Sequence, residues 1–314
     1  MQFLGFVNNG FRPENDIPDL SGKVILVTGG NSGLGKESVL QLAKHNPSQI
    51  FLAARSAETG QTAVEEVKAI VPGVKIVFLQ LDLSSYASIS KAAKLVNASV
   101  DRLDILMNNA GIMMTPPNTT MDGFEIQFGT NHIGHALLTK LLLPKLQATA
   151  KEHPGADVRI ITLSSSAHKW APEGGLDLGN VHSEQRNLST RELYGQSKLA
   201  NILYSNELAR RYPDIRCISL HPGSVNTGLS RGLNASYPLV APIVTFVKWT
   251  KIITLDVHEG TLNQLWAATA EEAESGKYYN PVGQEVTGSK YAHDLELAKE
   301  LWDFTEAEFK KLSL

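Results

Sequence analysis

Residues 23–35 read KVILVTGGNSGLG, so a run of apolar residues leads directly into a cluster of glycines. The apolar run predicts a buried strand, and the helical pattern that begins at Gly33 places the glycines in the turn between strand and helix. Such a turn lets backbone N–H groups approach a pyrophosphate, whose charge the helix N-terminus stabilises. A structural turn explains a glycine cluster alone equally well, but the flanking strand and helix favour a dinucleotide site.

Short apolar runs alternate with longer helical patterns from this point to the end of the chain. The runs are nearly continuous rather than alternating, as a parallel sheet covered on both faces requires. We therefore predict an α/β fold, a doubly wound Rossmann-type sheet, mostly parallel and seven-stranded, with helices on both faces. The predicted strands are 23–28, 50–54, 75–80, 105–108, 158–163, 216–220 and 277–279. The predicted helices lie near 33–45, 57–70, 86–99, 124–146 and 192–212.

The chain is predicted to hold one domain, 21–314, after an N-terminal extension over 1–20. Two stretches without periodicity, 164–191 and 222–251, follow the C-terminal ends of predicted strands, where open α/β sheets bind ligands. They are the candidates for the substrate pocket. Apolar residues in 238–247 and Trp170 suggest a lipophilic ketone or alcohol, although an aromatic residue that only anchors a loop explains Trp170 equally well.

The bulk composition excludes several classes of function. The 314 residues carry a net charge of −3, which gives no case for binding nucleic acid or an anionic membrane surface. The lone Cys217 lies in an apolar run, which predicts a buried strand position, and one cysteine fits a reducing compartment. Neither a signal peptide nor a transmembrane segment is evident. These features predict a cytoplasmic protein.

The second predicted strand ends at Arg55, and no carboxylate occurs from Ile50 through Ala57. In a dinucleotide fold, an acidic residue at this point would bind the 2′-hydroxyl of NAD. A guanidinium instead suits a 2′-phosphate in charge and in geometry, so NADP(H) is favoured. A solvated surface arginine is the alternative.

Tyr194 and Lys198 are four residues apart at the start of a predicted helix and therefore share a helix face. A Tyr-x-x-x-Lys pattern alone is a weak signal. It gains weight because the preceding strand ends in the serine cluster 164–166.

With these motifs in view, the chain resembles the short-chain dehydrogenase/reductase family over nearly its whole length. The matching elements are Thr28-Gly-x-x-x-Gly-x-Gly35, Asp82-Leu83, Asn108-Asn-Ala-Gly111, Asn131, Ser165, Tyr194 with Lys198, and His221-Pro-Gly223 with Thr227. Three further stretches resemble the retinol-dehydrogenase-like branch: 128–135, 165–168 and 297–302. That branch often carries an N-terminal membrane anchor, and none is evident here.

The resemblance implies a set of site residues. The implied catalytic residues are Asn131, Ser165, Tyr194 and Lys198. The implied cofactor contacts are Gly29, Asn31, Ser32, Gly33, Leu34, Gly35, Arg55, Asp82, Leu83, Asn109, Ala110, Gly111, Tyr194, Lys198, Pro222, Gly223, Val225 and Thr227. Ser165 is chosen because the second serine of such a cluster usually orients the substrate oxygen, which leaves Ser164 and Ser166 as alternatives. Asn131 would support a water-linked proton relay to Lys198.

The implied reaction is hydride transfer between NADP(H) and a small-molecule carbonyl/alcohol pair. Tyr194 would exchange the proton, and Ser165 would stabilise the charge on the substrate oxygen. Positive charge on Lys198 and on the oxidised nicotinamide would favour the phenolate. Lowering the tyrosine pKa by about three units requires roughly 4 kcal/mol.

Two features have simpler explanations than a second site. His132 and His135 are one helical turn apart, but no third ligand of suitable spacing favours a metal, so helix packing is preferred. The stripe Leu137, Leu138, Leu141 and Leu142 predicts a core-facing helix surface or a homodimer contact. An NADP(H)-binding sensor without turnover, or a cyclase or isomerase on the same fold, is the alternative function.

Overall fold

A computed structural model describes residues 9–153, 155–225 and 255–312 of the chain. Its seven strands form one sheet in the order β3-β2-β1-β4-β5-β6-β7, and every neighbouring pair is parallel. The strands are β1 Val24–Thr28, β2 Gln49–Ala54, β3 Ile76–Gln80, β4 Ile105–Asn108, β5 Arg159–Leu163, β6 Arg216–Leu220 and β7 Tyr278–Tyr279. The predicted doubly wound sheet is confirmed.

The α-helices cover both faces of the sheet. They are α1 Pro13–Asp16, α2 Gly33–Ala43, α3 Ala57–Ile70, α4 Tyr86–Ser99, α5 Ile126–Phe128, α6 Gly134–Glu152, α7 Thr190–Arg211, α8 Val257–Thr269 and α9 Leu295–Lys310. Among the helices of the described ranges, none has both the length and the apolar composition that a membrane span requires.

Two apolar cores lie on opposite faces of the sheet. On one face Leu26 packs with residues of α4, α6, α7 and α9, whereas its neighbours Ile25 and Val27 pack on the other face with α2, α3 and α8. Successive side chains of a strand point to opposite faces, so a strand covered on both sides must be apolar throughout. Cys217 is fully buried in β6, as predicted.

The region predicted as one helix over 124–146 is divided by a π-helical turn, Gly129–Ile133, between α5 and α6. A π turn holds one residue more per hydrogen-bonded ring than an α turn. The leucine stripe of α6 faces the core, with Leu137, Leu138 and Leu142 fully buried, so it gives no support to a dimer contact.

The segment before the first strand is packed against the domain from residue 9 onward. Phe11, Ile17 and Leu20 are buried in the core on the α8 side of the sheet. The segment 164–191, predicted to lack regular structure, contains two 3₁₀ turns, Ser166–Trp170 and Leu178–Asn180. Of the other predicted substrate loop, 222–251, only residues 222–225 lie within the described part of the chain.

Candidate active site

The glycine turn after β1 is tightly closed. Gly29 has φ +68° and Gly33 has φ +52°, and a Cβ on Gly35 would lie 2.3 Å from the carbonyl oxygen of Gly29. The helix α2 begins at Gly33, and the preceding Ser32 makes no side-chain capping bond within the described chain. The first N–H groups of α2 are therefore directed at the turn, which fits the binding of a phosphate.

Hydrogen bonds join this turn to the end of β4. The hydroxyl oxygen of Thr28 accepts from the backbone N–H groups of Asn109 and Ala110, both at 2.9 Å. The Asn109 amide donates in return to the Thr28 carbonyl at 2.6 Å. The predicted glycine turn and the predicted 109–111 segment thus form one connected wall.

The other predicted cofactor residues follow the strands of the same sheet edge. Arg55 comes directly after β2, is exposed and makes no ion pair with any described residue. Asp82 follows β3, and its Oδ1 accepts from the backbone N–H and the hydroxyl of Ser84. The Asn31 amide donates to Thr59 at 3.0 Å. Leu83 is buried.

The residues predicted for the nicotinamide end follow β6. Gly223 has φ +90°, a conformation that suits glycine, and Val225 pairs with Leu255 in an isolated parallel bridge. Pro222 precedes them and is partly buried. Thr227 lies outside the described residues.

Tyr194, Ser165 and Lys198 meet at the start of α7. Tyr194 is 3% exposed, and its hydroxyl lies near the side chain of Ser165, whose interaction lowers the pKa of the phenol. The Lys198 ammonium nitrogen lies 5.9 Å from the centre of the Tyr194 ring and donates to the carbonyl oxygen of Leu163 at 3.0 Å. The spacing of four residues therefore places the phenol and the ammonium at one site.

The three serines after β5 have different surroundings. Ser164 is buried, and its hydroxyl donates to the backbone carbonyl of Lys198 at 2.6 Å. Ser166 is exposed at the start of a 3₁₀ turn. Ser165, between them, contacts the tyrosine, and its hydroxyl oxygen accepts from the N–H of Ala167 at 3.1 Å. This placement favours Ser165 as the serine that faces the substrate oxygen.

Asn131 lies in the π turn with its side chain fully engaged. Its amide donates to the Ile112 carbonyl and to the Ser197 hydroxyl, both at 2.9 Å, while its side-chain oxygen accepts from Ile112 N–H at 2.8 Å. The Asn131 main-chain carbonyl lies 2.9 Å from Nδ1 of His135, whose Nε2 lies 2.9 Å from the Thr28 hydroxyl. A relay through Asn131 would therefore use its main chain, not its amide.

The electrostatics differ from the sequence-based expectation. Burial raises the pKa of Tyr194 to about 12, and the interaction with Ser165 only partly opposes it. Burial also lowers the pKa of Lys198 to about 8. The expected lowering of the tyrosine pKa by Lys198 is therefore not found among the protein's own groups, where desolvation by burial is the largest effect. The phenol holds its proton at neutral pH.

The buried lysine gives a stability prediction for the cofactor-free protein. The unfolded chain keeps an ordinary lysine pKa of 10.5, so between about pH 8 and 10.5 it binds more protons than the folded chain, and stability rises with pH. Below that window the buried ammonium costs about 3 kcal/mol. Lys198→Met removes this cost and loses a hydrogen bond of about 1 kcal/mol. The Leu163 carbonyl keeps its bond from Asn201.

Lys198→Met is therefore expected to be more stable than wild type by about 1–3 kcal/mol near pH 7. The difference should shrink as the pH approaches 10.5. Urea unfolding of both proteins near pH 7 and near pH 10 measures it. Lys94→Met, at an exposed position of α4, is the control and should show no such pH trend. A Lys198→Met variant that is less stable than wild type at neutral pH contradicts the prediction.

Gly195, between the tyrosine and the lysine, was not identified from the sequence. A Cβ there would lie 2.6 Å from the backbone of both Trp170 and Ala171 and 2.9 Å from the Ala167 carbonyl oxygen. The second turn of α7 thus packs directly on the 3₁₀ turn that follows Ser165. An isolated glycine inside a helical pattern is the available signal, because it costs about 1 kcal/mol and suggests a packing reason.

Comparison with known proteins places the chain in a family. Residues 23–175 match the family model for short chain dehydrogenases. An oxidoreductase of Schizosaccharomyces pombe is 38% identical over 95% of this chain and 88% of that protein. Human retinol dehydrogenase 13 is 38% identical over 95% of this chain and 87% of its own length. A solved structure from Mycobacterium paratuberculosis has a TM-score of 0.74 at 28% identity, covering 96% of this chain and 98% of that one.

These similarities confirm the resemblance to the family and its retinol-dehydrogenase-like branch. They span nearly the whole chain, and the fold observed here is the one that the family shares. The chain belongs to the short-chain dehydrogenase family, a family of oxidoreductases that transfer hydride with a nicotinamide cofactor.

Proposed function

We propose that the chain is an NADP(H)-dependent carbonyl reductase in which Tyr194 donates the proton. The observation that carries the proposal is the placement of the buried Tyr194 beside both Ser165 and the Lys198 ammonium. When bound, NADPH supplies a hydride to the carbonyl carbon. The Tyr194 hydroxyl transfers its proton to the carbonyl oxygen, whose developing charge the Ser165 hydroxyl stabilises.

Reduction suits the protonation states of the site. A phenol that holds its proton is ready to act as an acid, and Lys198 then stabilises the phenolate that remains. In the opposite direction the phenol must first lose its proton. We therefore expect reduction to be the favoured direction near neutral pH. The test is NADPH consumption with a panel of carbonyl compounds, and a chain that binds NADPH but consumes none with any of them is a sensor instead.

The preference for NADP(H) over NAD(H) rests on Arg55. Its exposed guanidinium follows β2, and the absence of a carboxylate from residue 50 through 57 leaves the 2′-position without an acidic partner. A guanidinium binds a phosphate through charge and paired hydrogen bonds. The glycine turn, Asp82 and Asn109 would hold the remainder of the dinucleotide.

Arg55→Asp is expected to reverse this preference. The substitution removes the partner of a 2′-phosphate and supplies an acceptor for a 2′-hydroxyl. The ratio of kcat/KM for NADPH to that for NADH should fall at least about tenfold, the equivalent of one charge-assisted contact. Lys68→Asp, exposed near the end of α3, makes the same charge change and should leave the ratio unaltered. An unchanged ratio in the Arg55 variant refutes the assignment.

We also propose that the substrate is a lipophilic ketone or aldehyde. Ile112 and Met113, directly after Gly111, are partly exposed, and so is Trp170 in the 3₁₀ turn after Ser165. A methionine can adapt to apolar ligands of several shapes. The apolar stretch 238–247 lies outside the described residues. Cytoplasmic location and a homodimer stay predictions of the sequence.

A series of linear aldehydes of increasing length tests the lipophilic pocket. Burying one methylene contributes about 0.8 kcal/mol, which corresponds to roughly a fourfold gain in kcat/KM per added carbon until the pocket is filled. A series in which kcat/KM does not rise with length contradicts an apolar pocket.

A further inference from the structure

His168 is a buried histidine that the proposed chemistry does not use. It lies in the 3₁₀ turn Ser166–Trp170 and is 1% exposed. Its Nδ1 lies 2.7 Å from the carbonyl oxygen of Ser165, and its Nε2 lies 2.9 Å from the backbone nitrogen of Ser289. A backbone N–H can only donate, so Nε2 accepts from Ser289. Nδ1 therefore carries the proton and donates a hydrogen bond to the Ser165 carbonyl. The partners thus determine the tautomer.

We propose that His168 is a positioning residue that holds Ser165 against Tyr194 by anchoring it to residues 288–289. This inference rests on the proposed function, because it assumes that Ser165 binds the substrate oxygen. Both ring nitrogens are already bonded, so the ring has neither a donor nor an acceptor left for substrate. The role of His168 is therefore exerted through Ser165 and not by contact with the reacting atoms.

The chain on the far side of the ring is shaped to receive it. Gly288 has φ +73°, and a Cβ built there would lie 3.0 Å from Nε2 of His168. A side chain at this position would be strained by the backbone and crowded by the ring. The edge of the ring also packs on Tyr278 of β7, with centroids 5.2 Å apart at 80°. The histidine therefore joins the turn after β5 to the segment that follows β7.

This connection matters because the hydrogen bonds that Ser165 itself makes are local. Its carbonyl accepts from the His168 backbone N–H at 3.0 Å, and its hydroxyl accepts from Ala167 N–H at 3.1 Å. Both bonds come from within the same short turn. The turn is held on one side by α7, through Gly195 and through the bond from Ser164 to Lys198. The side chain of His168 supplies a bond to a segment that is 121 positions away in the sequence.

The test is a double-mutant cycle with His168→Phe and Ser165→Ala. Phenylalanine keeps the ring but removes both hydrogen bonds. In the wild-type background, kcat should fall about 10- to 100-fold, the order expected for misplacing a reacting group by up to 1 Å. In the Ser165→Ala background, His168→Phe should lower kcat less than twofold further, because the hydroxyl that His168 positions is already absent. The dissociation constant of NADPH should stay within twofold of wild type.

Two variants separate the two bonds of the ring. His168→Asn retains a donor near the position of Nδ1, and His168→Gln retains an acceptor near that of Nε2. We expect the asparagine variant to recover more of kcat, because the bond to Ser165 is the one that acts on the substrate oxygen. His258→Phe, at the exposed start of α8, is the matched control and should keep wild-type kcat.

Several outcomes overturn the inference. Additive losses in the cycle, or an NADPH dissociation constant that rises as much as kcat falls, would show general damage rather than positioning of Ser165. If His168→Phe does not fold, Gly288→Ala replaces it, because the added methyl group would displace the His168 ring. The effect of Gly288→Ala on kcat must then disappear in the Ser165→Ala background. A Ser165→Ala variant with wild-type kcat contradicts the proposed function itself, whereas a fully active His168→Phe beside an impaired Ser165→Ala contradicts only the role of His168.

Discussion

Replacing Tyr194 by phenylalanine is expected to remove turnover while the protein still folds and binds NADPH. The phenyl ring fills the same buried space at the start of α7, so packing is retained. The lost hydroxyl is the proposed proton donor, and general acid catalysis contributes roughly 10²–10⁴-fold to the rate. The Ser165 hydroxyl keeps its bond from Ala167 N–H, so the turn remains in place.

The measurement combines NADPH consumption with direct titration of NADPH binding. Tyr212→Phe, at the C-terminal end of the same helix, is the matched control, because it also removes one phenolic hydroxyl. It should retain wild-type kcat. If Tyr194→Phe keeps more than about 10% of wild-type turnover, Tyr194 is not the proton donor.

Replacing Gly195 by alanine is expected to impair catalysis although no functional group is removed. The new methyl group would meet three backbone atoms at 2.6–2.9 Å, and backbone cannot yield as a flexible side chain can. Either α7, which carries Tyr194, or the turn Ser166–Trp170, which follows Ser165, must therefore move. A displacement near 1 Å can cost about 100-fold, so kcat should fall by that order.

The stability of the same variant gives an independent readout. Alanine in a helix interior is intrinsically more favourable than glycine by about 1 kcal/mol, whereas overpacking costs about 1–3 kcal/mol. The free energy of unfolding should therefore decrease, although helix propensity alone predicts an increase. Gly179→Ala is the control, because nothing lies within 4 Å of the Cβ it would add. Wild-type kcat in Gly195→Ala would mean that the contact between helix and turn is not needed for catalysis.

The sheet was predictable because burial on both faces leaves a strong signal in the sequence. The predictions for 105–108 and 216–220 coincide with β4 and β6, and the other strands start within one residue of the predicted positions. The helices predicted at 57–70 and 86–99 coincide with α3 and α4, whose apolar residues recur on one face. The edge strand β3 departs from the pattern, since Val77 is 39% exposed.

The helix boundaries that were missed depend on polar contacts rather than on apolar periodicity. The helix α7 begins at Thr190, two residues before its predicted start, because Ser189 and Glu192 form a capping box. That pair was readable from the sequence. The π turn was not, since hydrophobic spacing does not distinguish a widened turn within a mostly buried helix.

The site was predicted where topology alone brings residues together. Parallel strands place their carboxyl ends on one edge, so the glycine turn, Arg55 and the 109–111 segment had to lie along it. Contacts such as His168 with Ser289 connect remote loops, and no local pattern in one sequence reveals them. The raised pKa of Tyr194 in the protein without its cofactor was not predicted, because burial depends on packing that the motif does not describe.

The widened turn at Gly129–Ile133 also determines the direction in which the side chains of α6 point around the helix axis. One residue advances an α-helix by about 100°, so the extra residue rotates the later side chains by more than a quarter of a circle relative to an uninterrupted helix. Leu137, Leu138 and Leu142 are buried in the phase that follows the turn. Asn131 lies within this turn, so a change that restored an ordinary α-helical turn there would both move Asn131 and rotate the buried leucines of α6.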